Sequence, residues 1–145
     1  MDAIIRKPES RDISGLIQLN DAFNGVGCTV ESVADALNNS TNEIVFCAVV
    51  NNVVVGFICG MYWHSICYSE GHQGIITELI VNENYRRNGI AKKLIKALEA
   101  EFTRVNVREI VIETPVSNTE GRGFYENVGY VGETTMKYEK SLQCH

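Results

Sequence analysis

The stretch Ile75-Ile76-Thr77-Glu78-Leu79-Ile80-Val81, followed by Asn84-Tyr85-Arg86-Arg87-Asn88-Gly89-Ile90-Ala91 and then by Lys92 to Phe102, decides the fold. An apolar β-rich run passes through one short turn into a segment with helical periodicity. Ile90, Ala91, Leu94, Ile95, Leu98 and Phe102 fall on one helix face, with Lys92, Lys93, Lys96 and Glu99 between them. A helix start leaves several backbone N–H groups without intrahelical partners, and the macrodipole puts partial positive charge at the same end. Gly89 frees the turn for conformations closed to other residues and lets a ligand approach the backbone, while Arg86 and Arg87 add charge. The stretch therefore reads as strand, anion-binding turn, helix.

Two common phosphate-binding designs do not fit it. A P-loop needs a longer glycine-spaced loop ending in Gly-Lys-Ser/Thr, and a dinucleotide fingerprint needs three spaced glycines in one turn. This turn has Gly89 alone. An ordinary connection with solvated arginines is the remaining plain reading.

Working outward, the 145 residues are enough for one domain, 1–145, that buries about two-thirds of its unfolded surface. With 45% hydrophobic and 21% charged residues the composition is that of a folded globular chain. The net charge of −5 argues against general nucleic-acid binding and suits cationic substrates. The cations that do cluster, Arg86, Arg87, Lys92, Lys93 and Lys96, surround the proposed anion site. The five cysteines, Cys28, Cys47, Cys59, Cys67 and Cys144, form no Cys-x-x-Cys pair, and their odd number fits a reduced compartment and small hydrophobic packing roles. No metal site is visible. The start lacks a signal peptide's apolar core, and no run of ~20 apolar residues is present to span a bilayer, so a cytoplasmic protein with no membrane partner is expected.

Ala3 to Arg6 reads as a first strand and Arg11 to Phe23 as a helix, broken by Asn24-Gly25-Val26-Gly27. Thr29 caps a second helix with Val30, Val33, Ala34 and Leu37 facing inward. Ile44 to Val50 and Val53 to Met61 form a hairpin about Asn51-Asn52, a pair that tolerates positive φ. Trp63 to Gln73 reads as a strand end and loop, and Ile75 to Val81 as the fourth strand. After the long helix, Glu109 to Thr114 is a fifth strand, Thr119 to Asn127 a short helix ending at Gly129, and Thr134 to Glu139 a last strand. The class is α+β, without internal repeats.

Arg86-x-x-Gly89-x-Ala91, placed after Leu79-Ile80-Val81, resembles the acyl-CoA-binding motif of the GNAT family of N-acetyltransferases. Asn118-x-x-Gly121-x-x-Phe124-Tyr125-x-x-x-Gly129-Tyr130 resembles the same family's later motif, in the family's order and at its typical separation. The chain departs from the pattern at Glu83, where proline is common, at Ala91, where a second glycine is common, and at Gly121, where alanine is common. The resemblance implies the GNAT acyl-CoA N-acyltransferase fold, a mixed, mostly antiparallel sheet flanked by helices and splayed between strands four and five. It implies acetyl-CoA as cosubstrate and no metal. The pantetheine arm would pair with free backbone groups of Leu79, Ile80 and Val81, in the manner of an added strand. The phosphates would lie on Arg86, Arg87, Asn88, Gly89, Ile90, Ala91 and Lys92, and Asn118, Gly121, Phe124 and Tyr125 would border the cofactor. Many members of the family pair, which leaves a homodimer open.

Acetylating an amine from a thioester requires a neutral amine and a protonated leaving sulfur. An alkyl ammonium with a pKa near ~10.4 is free amine in roughly one molecule per thousand at neutral pH, so a base helps. Glu78, beside the thioester-binding residues, can take that proton directly or through water, or it can be an ordinary solvent-facing strand residue. His64 and His72 are alternative bases without visible partners. The family places the tyrosine matching Tyr125 beside the sulfur as proton donor; its alternative role is packing on Phe124. Asn118 is either a cofactor contact or a helix N-cap, roles that are compatible. The expected function is direct acetyl transfer to a small cationic amine, of aminoglycoside or polyamine type. Transfer to a protein or peptide amine, and a non-catalytic acyl-CoA-binding module, are the alternatives.

Overall fold

A computed structural model describes residues 2–25, 27–67 and 70–143. The chain divides after Glu113 into two compact units. The first contains β1 (Ile4–Arg6), α1 (Ile13–Asn24), α2 (Val30–Asn39), β2 (Glu43–Val50), β3 (Val53–Trp63), β4 (His72–Val81), α3 (Ile90–Arg104) and β5 (Val107–Val111). These strands form one sheet in the order β1-β2-β3-β4-β5, antiparallel throughout except for the parallel pair β4 and β5. The parallel pair is where α3 crosses over, since parallel neighbours need a long connection.

Asn51 and Asn52 take φ of 49° and 65°, and the β2–β3 hairpin closes on them as their side-chain chemistry allows. The next hairpin is longer than the sequence pattern marks. Pairing continues through Tyr62↔Gly74 and Trp63↔Gln73, so the strand end at Trp63 belongs to β3 as read, while β4 starts at His72 and takes His72 and Gln73 from the expected loop; Tyr68 and Ser69 of that loop lie outside the described residues. Polar and aromatic side chains hid this ladder, because its stabilisation is cross-strand contact: Tyr62 meets the ring of His72 at 5.5 Å.

Neighbouring residues of β3 face opposite sides of the sheet, and each side has its own helix. Phe57 packs with Leu16 and Leu19 of α1, together with Cys47, Val49, Val54 and Ile80. Gly60 faces α3, and a Cβ there would stand 2.6 Å from Phe102 and 2.9 Å from Leu98. Glycine thus lets α3 lie directly on the strand, with Ile90, Leu94, Ile95, Leu98 and Phe102 all buried. Each such side chain contributes about 1.5–3 kcal/mol of gross burial energy. Helix α2 is different: no residue of it is fully buried, Val30 is 54% exposed, and Leu37 alone packs onto the α1 core.

The start of the first unit is tied by one buried ion pair. Arg6 Nη1 and Nη2 donate to the two Asp12 oxygens at 2.6 and 3.1 Å, and the Glu9 amide donates to Asp12 Oδ2 at 2.7 Å. Asp12 is 4% exposed, and these donors hold its carboxyl below the ordinary aspartate value against the opposing effect of burial.

The second unit contains α4 (Thr119–Asn127), bounded where the sequence places it. The last strand expected over Thr134 to Glu139 is not formed: among the described residues, those after α4 carry no strand. Alternating β-rich residues make a strand only against a neighbouring ladder. Here Met136 is 76% and Tyr138 87% exposed, and Lys137 pairs with Glu139 along the chain.

Candidate active site

The site begins where β4 outruns β5. Their register runs from His72↔Val107 to Ile75↔Val111 and goes no further among the described residues, while β4 continues to Val81 and stays paired with β3 on its other side. A strand paired on one side only presents alternate N–H and C=O groups along its open edge. Leu79, Ile80 and Val81 lie in this splayed half. An extended amide-bearing ligand can occupy such an edge as a strand would.

Beyond Val81 the chain makes a tight turn toward α3. Asn82 Oδ1 accepts from the Asn84 amide at 2.9 Å, and Asn88 Nδ2 donates to the carbonyls of Tyr85 and Arg86 at 3.1 and 3.2 Å. Arg87 and Gly89 take φ of 63° and 75°. The first helical bond of α3 runs from the Lys93 amide to the Gly89 carbonyl, so the amides of Ile90, Ala91 and Lys92 belong to the turn that has no intrahelical acceptor. Nothing stands within 4 Å of where a Gly89 Cβ would lie. The backbone there is open to a ligand, and the left-handed φ is what requires glycine. Arg86 does not simply project into solvent. Its guanidinium lies 5.5 Å from the centre of the Phe23 ring, and its Nε donates to the Val81 carbonyl at 3.4 Å, which joins the turn to the end of α1.

Glu78 owes its position to a bulge. Cys59 opposes Glu78, but the next β3 residue, Gly60, opposes Ile76, so Thr77 is the extra residue. Glu78 thereby comes onto the α1 side, where its Oε2 accepts from Asn24 Nδ2 at 3.0 Å. It borders a cavity of about 330 Å³ between α1, α2 and strands β2 to β4, together with Glu43, Asn20, Cys28, Phe57 and Cys59. Ligand pockets of small molecules begin at about this size. Burial first, and then the charges of Glu43 and Glu78, push the Cys59 thiol up to about 12, which keeps it neutral and unsuited to nucleophilic attack. A cavity with apolar walls and two carboxylates can take a cation with a hydrocarbon frame. Asn24, Asn20 and Glu43 carry no local signal in sequence; only the fold brings them to Glu78.

His64 and His72 are elsewhere. His72 opens β4, six residues before Glu78, about 20 Å away at ~3.3 Å per residue. Its Nδ1 meets the Val105 carbonyl at 2.9 Å, and its ring packs on Tyr62 and His64. Among the described residues no group of three or more metal-ligating side chains occurs.

In the second unit, Asn118 caps α4: its Oδ1 accepts from the Gly121 amide at 3.1 Å and its Nδ2 donates to Thr114 Oγ1 at 2.9 Å. A Cβ on residue 121 would stand 2.4 Å from Asn118 Nδ2, so the glycine makes room for the cap. Tyr125 is half-buried, with ring contacts to Phe124 at 5.5 Å and Tyr130 at 6.4 Å. The Tyr130 amide returns to the Tyr125 carbonyl at 3.0 Å, with Gly129 at φ 102° between them.

Comparison with known proteins agrees with this architecture. The family model for the acetyltransferase (GNAT) family matches residues 15–130. N-alpha-acetyltransferase 30 of Homo sapiens is 32% identical over 95 residues, 65% of this chain and 25% of the human protein; that of Saccharomyces cerevisiae is 32% identical over 99 residues, 64% of this chain and 54% of the yeast protein. The chain thus spans a quarter to about half the length of these relatives. Among solved structures, an aminoglycoside acetyltransferase from an uncultured soil metagenomic sample, in complex with sisomicin, is similar with a TM-score of 0.85 and 25% identity, covering 97% of each chain. Glucosamine-6-phosphate N-acetyltransferase from Arabidopsis thaliana shares the fold with a TM-score of 0.84 at 18% identity, over 99% of this chain and 100% of that one. The chain belongs to the acetyltransferase (GNAT) family.

Proposed function

We propose that the chain is an acetyl-CoA-dependent N-acetyltransferase acting as one catalytic domain over residues 1–145, with a small cationic amine as acceptor. The observation that carries this reading is the convergence of Glu78, which borders an acidic cavity, an open β4 edge and a free α3 start within the fifteen residues from Glu78 to Lys92. The family match, which crosses both compact units, supports treating their motifs together.

Acetyl-CoA supplies an activated acyl thioester. Leu79, Ile80 and Val81 offer main-chain groups to its amide arm, and the turn from Arg86 through Lys92, with Arg87, Asn88, Gly89, Ile90 and Ala91, offers amides and charge to its phosphates. Glu78 takes one proton from the acceptor ammonium and passes it to water. The amine nitrogen then forms a C–N bond with the acyl carbon as the C–S bond breaks. The nitrogen's second proton balances the one Tyr125 gives to the departing sulfur, and the third stays on the amide product. Asn118 and Gly121 fix the start of α4, and with it the pair Phe124 and Tyr125.

The aminoglycoside acetyltransferase with sisomicin supports a cationic, sugar-like amine. The 32% identity to N-alpha-acetyltransferase 30 favours a second reading, in which a peptide amine is the acceptor. No helix among the described residues is long and apolar enough to cross a membrane, and Cys28 and Cys67 are free and exposed, which supports a reduced, cytoplasmic setting. A homodimer belongs to the same proposal: Val131, Met136, Tyr138 and Leu142, each at least 76% exposed, are apolar surface that a second copy would cover.

The test is mass-resolved acetyl transfer from acetyl-CoA to a panel of aminoglycosides, polyamines, amino acids and peptides, compared with Tyr125→Phe. An acetylated amine whose formation falls about a hundredfold in the variant supports the reading and names the acceptor class. Cofactor binding without any product would favour an acyl-CoA-binding module instead.

A further inference from the structure

We infer that Asn24 is a positioning residue that holds Glu78 in place through the last turn of α1, an inference that rests on Glu78 being the base. Asn24 Nδ2 carries two hydrogens and meets two acceptors: Asn20 Oδ1 one helical turn earlier at 2.8 Å, and Glu78 Oε2, 54 residues away in sequence, at 3.0 Å. Both donors are used, which fixes the amide's orientation, since the flipped amide would set its oxygen against two other oxygens. Asn20 is held in turn, its own Nδ2 lying 3.5 Å from Cys28 Sγ. Asn24 is the final residue of α1 and Gly25 follows with φ 81°, so the helix ends where its side chain meets β4. A carboxylate held at Oε2 by a neutral donor keeps Oε1 for the amine proton. The other ionisable groups that line the cavity with Glu78 are Glu43 of β2, Cys59 of β3 and Cys28 before α2, and the neighbouring helices add Asp21 of α1 and Glu31 and Asp35 of α2; none of these is cationic. Asn24 is therefore the neutral group that orients this carboxylate without neutralising it.

A double-mutant cycle tests the inference, with sisomicin, spermidine and a peptide bearing a free N-terminus as acceptors. Asn24→Ala is expected to lower kcat for the acceptor about tenfold with the KM for acetyl-CoA unchanged, and Glu78→Gln about a hundredfold. In the Glu78→Gln background, Asn24→Ala should cost no more than about twofold, because its route of action is already removed. Asn24→Asp, which sets a second carboxylate beside the first, should move the acid limb of the pH–rate profile to higher pH. Multiplying effects in the cycle, or full activity in Asn24→Ala, would overturn the positioning role. A wild-type rate in Glu78→Gln would overturn the base assignment alone. The contact itself is read without any acceptor: the side-chain amide resonances of Asn24 should shift in Glu78→Ala, and unmoved resonances would remove the clamp.

Discussion

Ile76 and Glu78 lie two residues apart on one strand, yet they face opposite sides of the sheet. Ile76 opposes Gly60, whose open face receives Phe102 and Leu98 of α3, while Glu78 opposes Cys59 and meets Asn24 of α1. In a regular strand these two would share a face. The extra residue, Thr77, keeps an apolar side chain in the α3 core and turns a carboxylate over to the cavity two positions later. Its hydroxyl donates to the Cys59 carbonyl at 3.2 Å, which ties the bulge to β3.

Deletion of Thr77 should therefore cost more than any substitution there. Whichever half of β4 keeps its register, the other half turns its whole side-chain pattern over. Either Ile76 leaves the core, where it is 4% exposed, or Glu78 enters it unpaired. We expect a loss of about 3 kcal/mol or more by denaturant unfolding, against less than about 1 for Thr77→Ser. Equal stability of the deletion and Thr77→Ser would show that the bulge does not set the faces.

Gly89 is needed for its dihedral and not for lack of space. Its φ is 75°, and no atom lies within 4 Å of the place a Cβ would take, so alanine meets backbone strain without a clash. Gly89→Ala should lower stability by about 1–2 kcal/mol and weaken acetyl-CoA binding about tenfold, as the turn relaxes away from the α3 amides. Calorimetric titration reads the change in affinity and thermal unfolding the change in stability, beside Glu78→Gln, which should bind acetyl-CoA with unchanged affinity. Equal affinity of Gly89→Ala and wild type would remove the turn from the phosphate site.

The Arg6–Asp12 pair makes a pH-dependent contribution with a definite sign. Asp12 is held below its ordinary value when folded, so it binds fewer protons there than in the unfolded chain. Its stabilisation is complete above about pH 4, the unfolded aspartate range, and is lost as pH falls through the lower folded value. Asp12→Asn should lose about 3 kcal/mol near neutrality, because it leaves the Arg6 charge half-buried beside a neutral amide. The stability gap between the two proteins should narrow from pH 7 to pH 3; a constant gap would mean that the lost stability is not this carboxylate's charge.

The parts of the molecule that were legible in sequence are those whose cause is local. Helix α4 runs from Thr119 to Asn127 as read, because Asn118 and Gly129 mark its ends by chemistry that acts within a few residues. The Asn51-Asn52 turn and the Thr29 cap are legible for the same reason. The bulge is not: Ile-Ile-Thr-Glu-Leu-Ile-Val reads as an unbroken strand, and only its register against β3 shows the extra residue. Asn24 reads as part of a helix breaker, since nothing near it in sequence says that β4 will pass beside it. The strand expected over Thr134 to Glu139 failed in the opposite way, as its alternation is clear but a strand needs a ladder to join.

Thiol reactivity offers the last prediction and a check on the cavity. Burial pushes Cys47 up to about 11, and burial with two nearby carboxylates pushes Cys59 up to about 12, so at pH 8 only about one Cys59 in ten thousand is thiolate. Cys28 and Cys67 are exposed. Brief treatment of the folded protein with iodoacetamide at pH 8 should modify Cys28 and Cys67 and leave Cys47 and Cys59 intact, as read by peptide mass spectrometry. The protection of Cys59 has a local electrostatic part from Glu43 that Cys47 lacks. Glu43→Gln removes one of the two nearby carboxylates and should raise the alkylation rate of Cys59 several-fold, while Cys47, whose neighbours are Arg6 and Asp12, stays unchanged. A Cys59 rate indifferent to residue 43 would show that desolvation alone protects the thiol, and the cavity would then have less acidic character than an ammonium-binding pocket requires.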